Sequence, residues 1–97
     1  MDAATEHSVT IAFMNIGLME SAFTGNSSHK HLRAVKNQVG QLFMHHLVRI
    51  LCFVEVGQPR VGLSKEAKVR FEQAVRDGAT EHIRGSLTFL WADGNES

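Results

Sequence analysis

Leu42-Phe43-Met44-His45-His46-Leu47-Val48-Arg49-Ile50-Leu51-Cys52-Phe53-Val54 is the stretch on which the fold turns, because only His45, His46 and Arg49 interrupt its apolar surface. Followed upstream, Leu32, Val35, Val39, Leu42, Phe43, His46 or Leu47, Ile50 and Val54 keep i, i+3, i+4 spacing, which predicts a helix over residues 29–55. Ser27 or Ser28 stands where its N-cap belongs. The first half is amphipathic, with Lys30, Arg33, Lys36, Asn37 and Gln41 left for water. The second half is apolar on nearly all sides, and such a helix must be buried on nearly all sides. Val, Ile and Phe dominate residues 50–56, so a strand there is the competing reading.

Breaks at Gly25-Asn26-Ser27-Ser28 and Gly57-Gln58-Pro59-Arg60-Val61-Gly62 divide the chain into three pieces. Upstream, Val9, Ala12, Phe13, Ile16 and Phe23 recur at helical spacing, and Ile11, Met14, Leu18 and Ala22 form a second apolar row. A helix over residues 6–24 is expected, although Val9-Thr10-Ile11 has strand propensity. Downstream, Ser64 is the N-cap of a third helix, expected over residues 64–91, with Ala67, Phe71, Ala74, Val75, Gly78, Ile83 and Leu90 along one stripe. Lys65, Lys68, Glu72, Arg76, Glu81 and Arg84 occupy its other face, where Lys68/Glu72, Glu72/Arg76 and Glu81/Arg84 have the spacing of surface pairs. Gly78 either permits a close helix contact or marks a break. The expected architecture is therefore all-α: one domain over residues 1–97, a helical hairpin whose second and third helices run antiparallel across the 57–62 loop, with an additional N-terminal helix.

Of the 97 residues, 43% are hydrophobic and 21% charged, a globular balance that excludes a disordered chain. A domain this small buries only about 60–65% of its unfolded surface. The run at 42–54 exceeds what one such chain covers, so a homodimer is expected. Formal net charge is +0, which implies no general attraction to nucleic acid or anionic membrane. The single Cys52 excludes an internal disulfide and fits a reducing compartment. No run reaches the roughly 18–20 apolar residues of a membrane span, and the N-terminus lacks the basic region of a signal peptide. A cytoplasmic location is expected.

The residues do not point to catalysis. Cys52 sits in an apolar run with only Arg49 to lower its pKa, and buried thiols are inert. No nucleophile elbow or phosphate-cradling glycine loop occurs. His29 and His31 are two apart and His45 and His46 adjacent, spacings that diverge on a helix, whereas helical zinc ligands come at i, i+3 or i+4. The reading is thus of no enzyme, no metal and no cofactor, with His45, His46 and His82 as partly buried polar groups. What remains is apolar surface. Ile11, Met14 and Leu18 on the first helix, and Met44, Val48 and Leu51 on the second, lie off the core stripes and are the candidate partner-binding residues. Phe43, Leu47, Ile50, Phe53 and Val54 fall to the core or to a dimer interface. The alternative is a small DNA-associated regulator using Lys30, Arg33 and Lys36, three cations on one helical stripe able to meet phosphates.

In its size, its lack of catalytic residues and its apolar two-faced segments at 11–22 and 44–54, the chain resembles the small helical antiactivators of bacterial quorum sensing. That resemblance is one of architecture, without a diagnostic motif. It implies a regulator that binds a LuxR-type receptor, as a homodimer, and blocks its dimerisation or its DNA binding.

Overall fold

Two of the three pieces contain a strand. In the computed structural model, which describes residues 10–57, 62–80, 82, 83 and 85–92, Ile11–Leu18 forms β1 and Ile50–Val56 forms β2. The two pair in parallel, with Ile11 opposite Ile50, Phe13 opposite Cys52 and Asn15 opposite Val54. Between them lie a single helical turn, α1 (Ser21–Thr24), and a long helix, α2 (Ser28–His45); α3 (Lys65–Ala79) follows β2. A parallel pair needs a crossover of a dozen or more residues, and α1 and α2 supply it.

The all-α expectation is therefore wrong, and the architecture is mixed α/β. The helix expected over 29–55 ends at His45, where His46 turns extended (φ −140°, ψ 145°) while its N–H still caps the Leu42 carbonyl. The helix expected over 6–24 is replaced by β1 and α1 where residues are described. The helix expected over 64–91 stops at Ala79, and residues 86–92 carry no helix. In chain order β2, not a helix, precedes α3, so there is no helical hairpin; residues 58–61 of the expected loop lie outside the described residues. The misreading has one physical cause. A parallel strand is apolar on both faces, and a short run apolar on both faces fits helical and strand spacing equally well.

Within β1 the alternation is regular. Ala12, Met14, Ile16 and Leu18 are half-buried, whereas Ile11, Phe13, Asn15 and Gly17 are exposed. The register slips by one residue between Asn15 and Leu18, a bulge accommodated by Gly17 at φ +62°. Met14, Ile16 and Leu18 of β1 and Leu51 and Phe53 of β2 pack on the core. That core is Phe23 of α1, Val35 and Val39 of α2, and Leu63, Ala67, Phe71, Ala74, Val75 and Ala79 at α3. Both long helices thus lie on one side of the sheet.

Two local devices set the helix positions. Gly78 is buried in α3 where it crosses α2; a Cβ there would sit 2.4 Å from the Lys36 carbonyl oxygen and 3.1 Å from the Val39 Cβ. The glycine marks a close helix contact, not a break. At the start of α3, the Ser64 hydroxyl accepts from the Ala67 N–H (3.2 Å) and donates to Glu20 Oε2 (2.6 Å), while the Ser64 N–H donates to Glu20 Oε1 (2.8 Å). One carboxylate after β1 therefore grips the first turn of α3.

Gly78→Ala improves helix propensity by about 1 kcal/mol but drives a methyl into backbone that cannot swing aside, an overpacking cost of about 1–3 kcal/mol. A net loss of stability is expected in urea denaturation; a stabilised variant would disprove the close crossing. The hydrogen bonds from Ser64 hold the Glu20 carboxyl below its usual value of 4.5. A lowered folded-state pKa contributes stability above the unfolded value, lost as pH falls through the folded one. The urea midpoint of the wild-type protein should therefore exceed that of Glu20→Gln at about pH 7, and the gap should close towards about pH 3. A gap unchanged by pH would contradict the Glu20–Ser64 grip.

Candidate functional site: the open face of the sheet

The side of the sheet away from the helices is apolar and uncovered by any described residue. Three cross-strand pairs build it: Ile11 with Ile50, Phe13 with Cys52, and Asn15 with Val54. Ile11 is 50% exposed, Phe13 73%, Ile50 48% and Val54 43%. Parallel sheets normally have both faces covered, which is why their strands are apolar throughout. Four large apolar side chains left in water on such a face make a patch of a few hundred Å², the size that marks an interaction surface. Met44 and Leu47, at the end of α2 and just beyond it, are exposed as well.

The sequence-derived candidates divide between this face and the core. Among the partner-binding candidates, Ile11 lies on the open face and Met44 is exposed, but Met14, Leu18 and Leu51 pack on the core and Val48 is buried. They were grouped by helical spacing, and on strands that spacing mixes the two faces. Among the core-or-dimer candidates, Phe43 and Phe53 pack on the core, whereas Ile50 and Val54 are open-face residues and Leu47 is 91% exposed. Phe13, at the middle of the face, was assigned to the first helix's core stripe. Reading 11–18 with period two puts it with Ile11, which is the signal that was available.

Cys52 is half-buried beside Phe13, not fully buried as expected. His45 and His46 are exposed; His82 is half-buried. Among the described residues no three His, Cys, Asp or Glu side chains come together as a metal site, and no helix is long and apolar enough to cross a membrane. Lys30, Arg33 and Lys36 are exposed on α2, the helix that packs against the other side of the sheet. The open face and the basic stripe are thus separate surfaces.

A second feature lies at the far edge of β2. Residues 86–92 return along α3, held by a row of charged side chains one helical turn apart. The Trp91 Nε1–H donates to Glu72 Oε2 (2.6 Å) and Lys68 Nζ lies 5.3 Å from the Trp91 ring. The Arg76 guanidinium lies 4.8 Å from the Phe89 ring and 3.8 Å from Glu72 Oε1. The Glu72/Arg76 pair expected from spacing is present, while Glu81 and Arg84 lie outside the described residues. Between this segment and β2 runs an apolar groove of about 850 Å³.

No family model, curated protein or solved structure matches the chain. Of the features behind the likeness to helical antiactivators, the two-faced helices at 11–22 and 44–54 are not present, since these residues hold β1 and most of β2.

Proposed function

We propose that this protein is a non-catalytic binding module that docks another polypeptide on the open face of its parallel sheet. The observation that carries this reading is Phe13, exposed at the centre of an apolar row on a sheet type that is otherwise covered on both sides. Ile11, Ile50 and Val54 surround it and Leu47 lies upstream of β2. The face carries no charged side chain among its described residues, so it offers shape and apolar area, not charge recognition. Large aromatic residues at the centre of such patches supply most of the binding energy.

Phe13→Asp and Ile50→Asp place a charge in the contact and leave the helix-side core untouched. Desolvating that charge costs several kcal/mol, and a loss of about 2.8 kcal/mol is a hundredfold in affinity. The expected outcome is that proteins retained from cell extract by the wild-type chain, identified by mass spectrometry, are lost with both variants. Self-association in sedimentation equilibrium is lost with them if the partner is a second copy. Circular dichroism melts should stay close to wild type. Charge reversal of Lys30, Arg33 and Lys36 should leave binding intact. Apolar variants that bind normally beside an inactive charge-reversal variant would transfer the function to the basic stripe and to nucleic acid.

A further inference from the structure

β2 pairs with β1 along one edge, and among the described residues no strand lies on its other edge. The Ile50 N–H donates to the Thr10 carbonyl at 3.3 Å. The alternation of a parallel ladder then turns the backbone groups of Ile50 and Cys52 towards β1 and those of Leu51 and Phe53 towards the groove. A strand edge with its backbone donors and acceptors left without a strand partner is a ready template for pairing. The opposite wall of the groove is residues 86–92.

That segment already has the properties of the missing neighbour. Leu87, Phe89 and Trp91 are half-buried and alternate with exposed Ser86, Thr88 and Leu90, the period of a strand. Its phase agrees with β2: Leu87, Phe89 and Trp91 pack on the core with Leu51 and Phe53. Its direction agrees too. Phe89 lies by Arg76 and Trp91 by Lys68 and Glu72, so it runs from the end of α3 back to its beginning. β2 runs the same way, because its end at Gly57 abuts Leu63 at the start of α3. Strand, helix and returning parallel segment repeat the order by which β1, α2 and β2 were built.

We propose that residues 86–92 are a strap that closes onto the free edge of β2 as a third parallel strand, filling the groove between them. The side chains of Phe89 and Trp91 are already seated on α3, so closure moves backbone and leaves the anchors in place. Closing satisfies the outward groups of Leu51 and Phe53; opening exposes them. The proposal is independent of docking on the open face.

Cys52 is the one cysteine of the chain and sits on the open side of β2, the side that Ser86, Thr88 and Leu90 would share in a closed sheet. The full-length single variants Ser86→Cys, Thr88→Cys and Leu90→Cys, oxidised mildly and read by mass under non-reducing conditions, scan the possible registers. Neighbouring strands bring paired Cα atoms within the roughly 4.4–6.8 Å that a disulfide needs. At least one variant should form an intramolecular disulfide in nearly all molecules. In the unmodified protein the amides of Leu51 and Phe53 should exchange at least about a hundredfold more slowly than in the unfolded chain. Failure of all three variants to cross-link while their circular dichroism stays native overturns the proposal. So does a disulfide accompanied by amides of Leu51 and Phe53 that exchange at the unfolded rate, since oxidation has then trapped a rare encounter. Where a variant fails to fold, exchange in the unmodified protein decides.

Discussion

Phe71 is the point at which every layer of this protein meets. Its ring stands edge-to-face against Phe23 (5.5 Å between centroids), Phe53 (4.9 Å) and Trp91 (5.8 Å). Those partners belong to α1, β2 and the returning segment, so one side chain of α3 fastens pieces far apart in sequence. Aromatic pairs of this geometry add about 0.5–1.5 kcal/mol each beyond the area they bury. The two strands alone make a sheet too small to persist in water, and packing on a helix is what such a sheet requires. The sheet therefore depends on its helix-side residues, Phe53 on Phe71 together with Met14, Ile16, Leu18 and Leu51, having a core to rest on.

From that dependence follows the one-sided character of the molecule. Helices α2 and α3 pack on each other through Gly78, on the same side as Phe71, and nothing described lies on the other side. The strands nevertheless carry the composition of a two-sided parallel sheet, with Ile11, Phe13, Ile50 and Val54 where a surface sheet would place Thr, Lys or Glu. The apolar excess noticed in the sequence is thus real, and its location is the sheet's outer face.

How much of this was legible in the sequence depends on the segment. The helix start at Ser64 and the Glu72/Arg76 pair were readable because capping and i, i+4 spacing are local, whereas Gly78 was left open between a close contact and a break. β2 was legible only as the competing reading, from the β-branched and aromatic content of residues 50–56, and it is that reading the structure bears out over Ile50–Val56; β1 was read as helix. In β1 the sequence Ile-Ala-Phe-Met-Asn-Ile-Gly-Leu offers no polar alternation to separate faces, and the helical template fitted it as well as the strand template. The open face was hidden by that same choice: the residues that compose it follow period two and were sorted by period 3.6. The aromatic contacts of Trp91 were invisible for a different reason, since they join residues whose proximity only the tertiary fold creates.

The charges of α3 show how far the fold uses residues that a sequence reading assigns to solvent. Lys68, Glu72 and Arg76 recur at i, i+4 and i+8, a polar stripe that usually contributes a few tenths of a kcal/mol through surface pairs. Here Glu72 accepts from the Trp91 indole, and the two cations lie against Trp91 and Phe89. The stripe is the wall that holds residues 86–92 in place. It also connects the two exposed features of the molecule. Thr88 and Leu90 alternate with the anchored residues and in a closed sheet would share the side of Phe13 and Cys52; Leu90 is 93% exposed. A strap closed on β2 would lay Leu90 beside that apolar row and widen the open face by a strand. An open strap would leave the face two strands wide with a bare edge. The charged stripe of α3, by holding the strap, would thereby help to set the extent of the exposed apolar face.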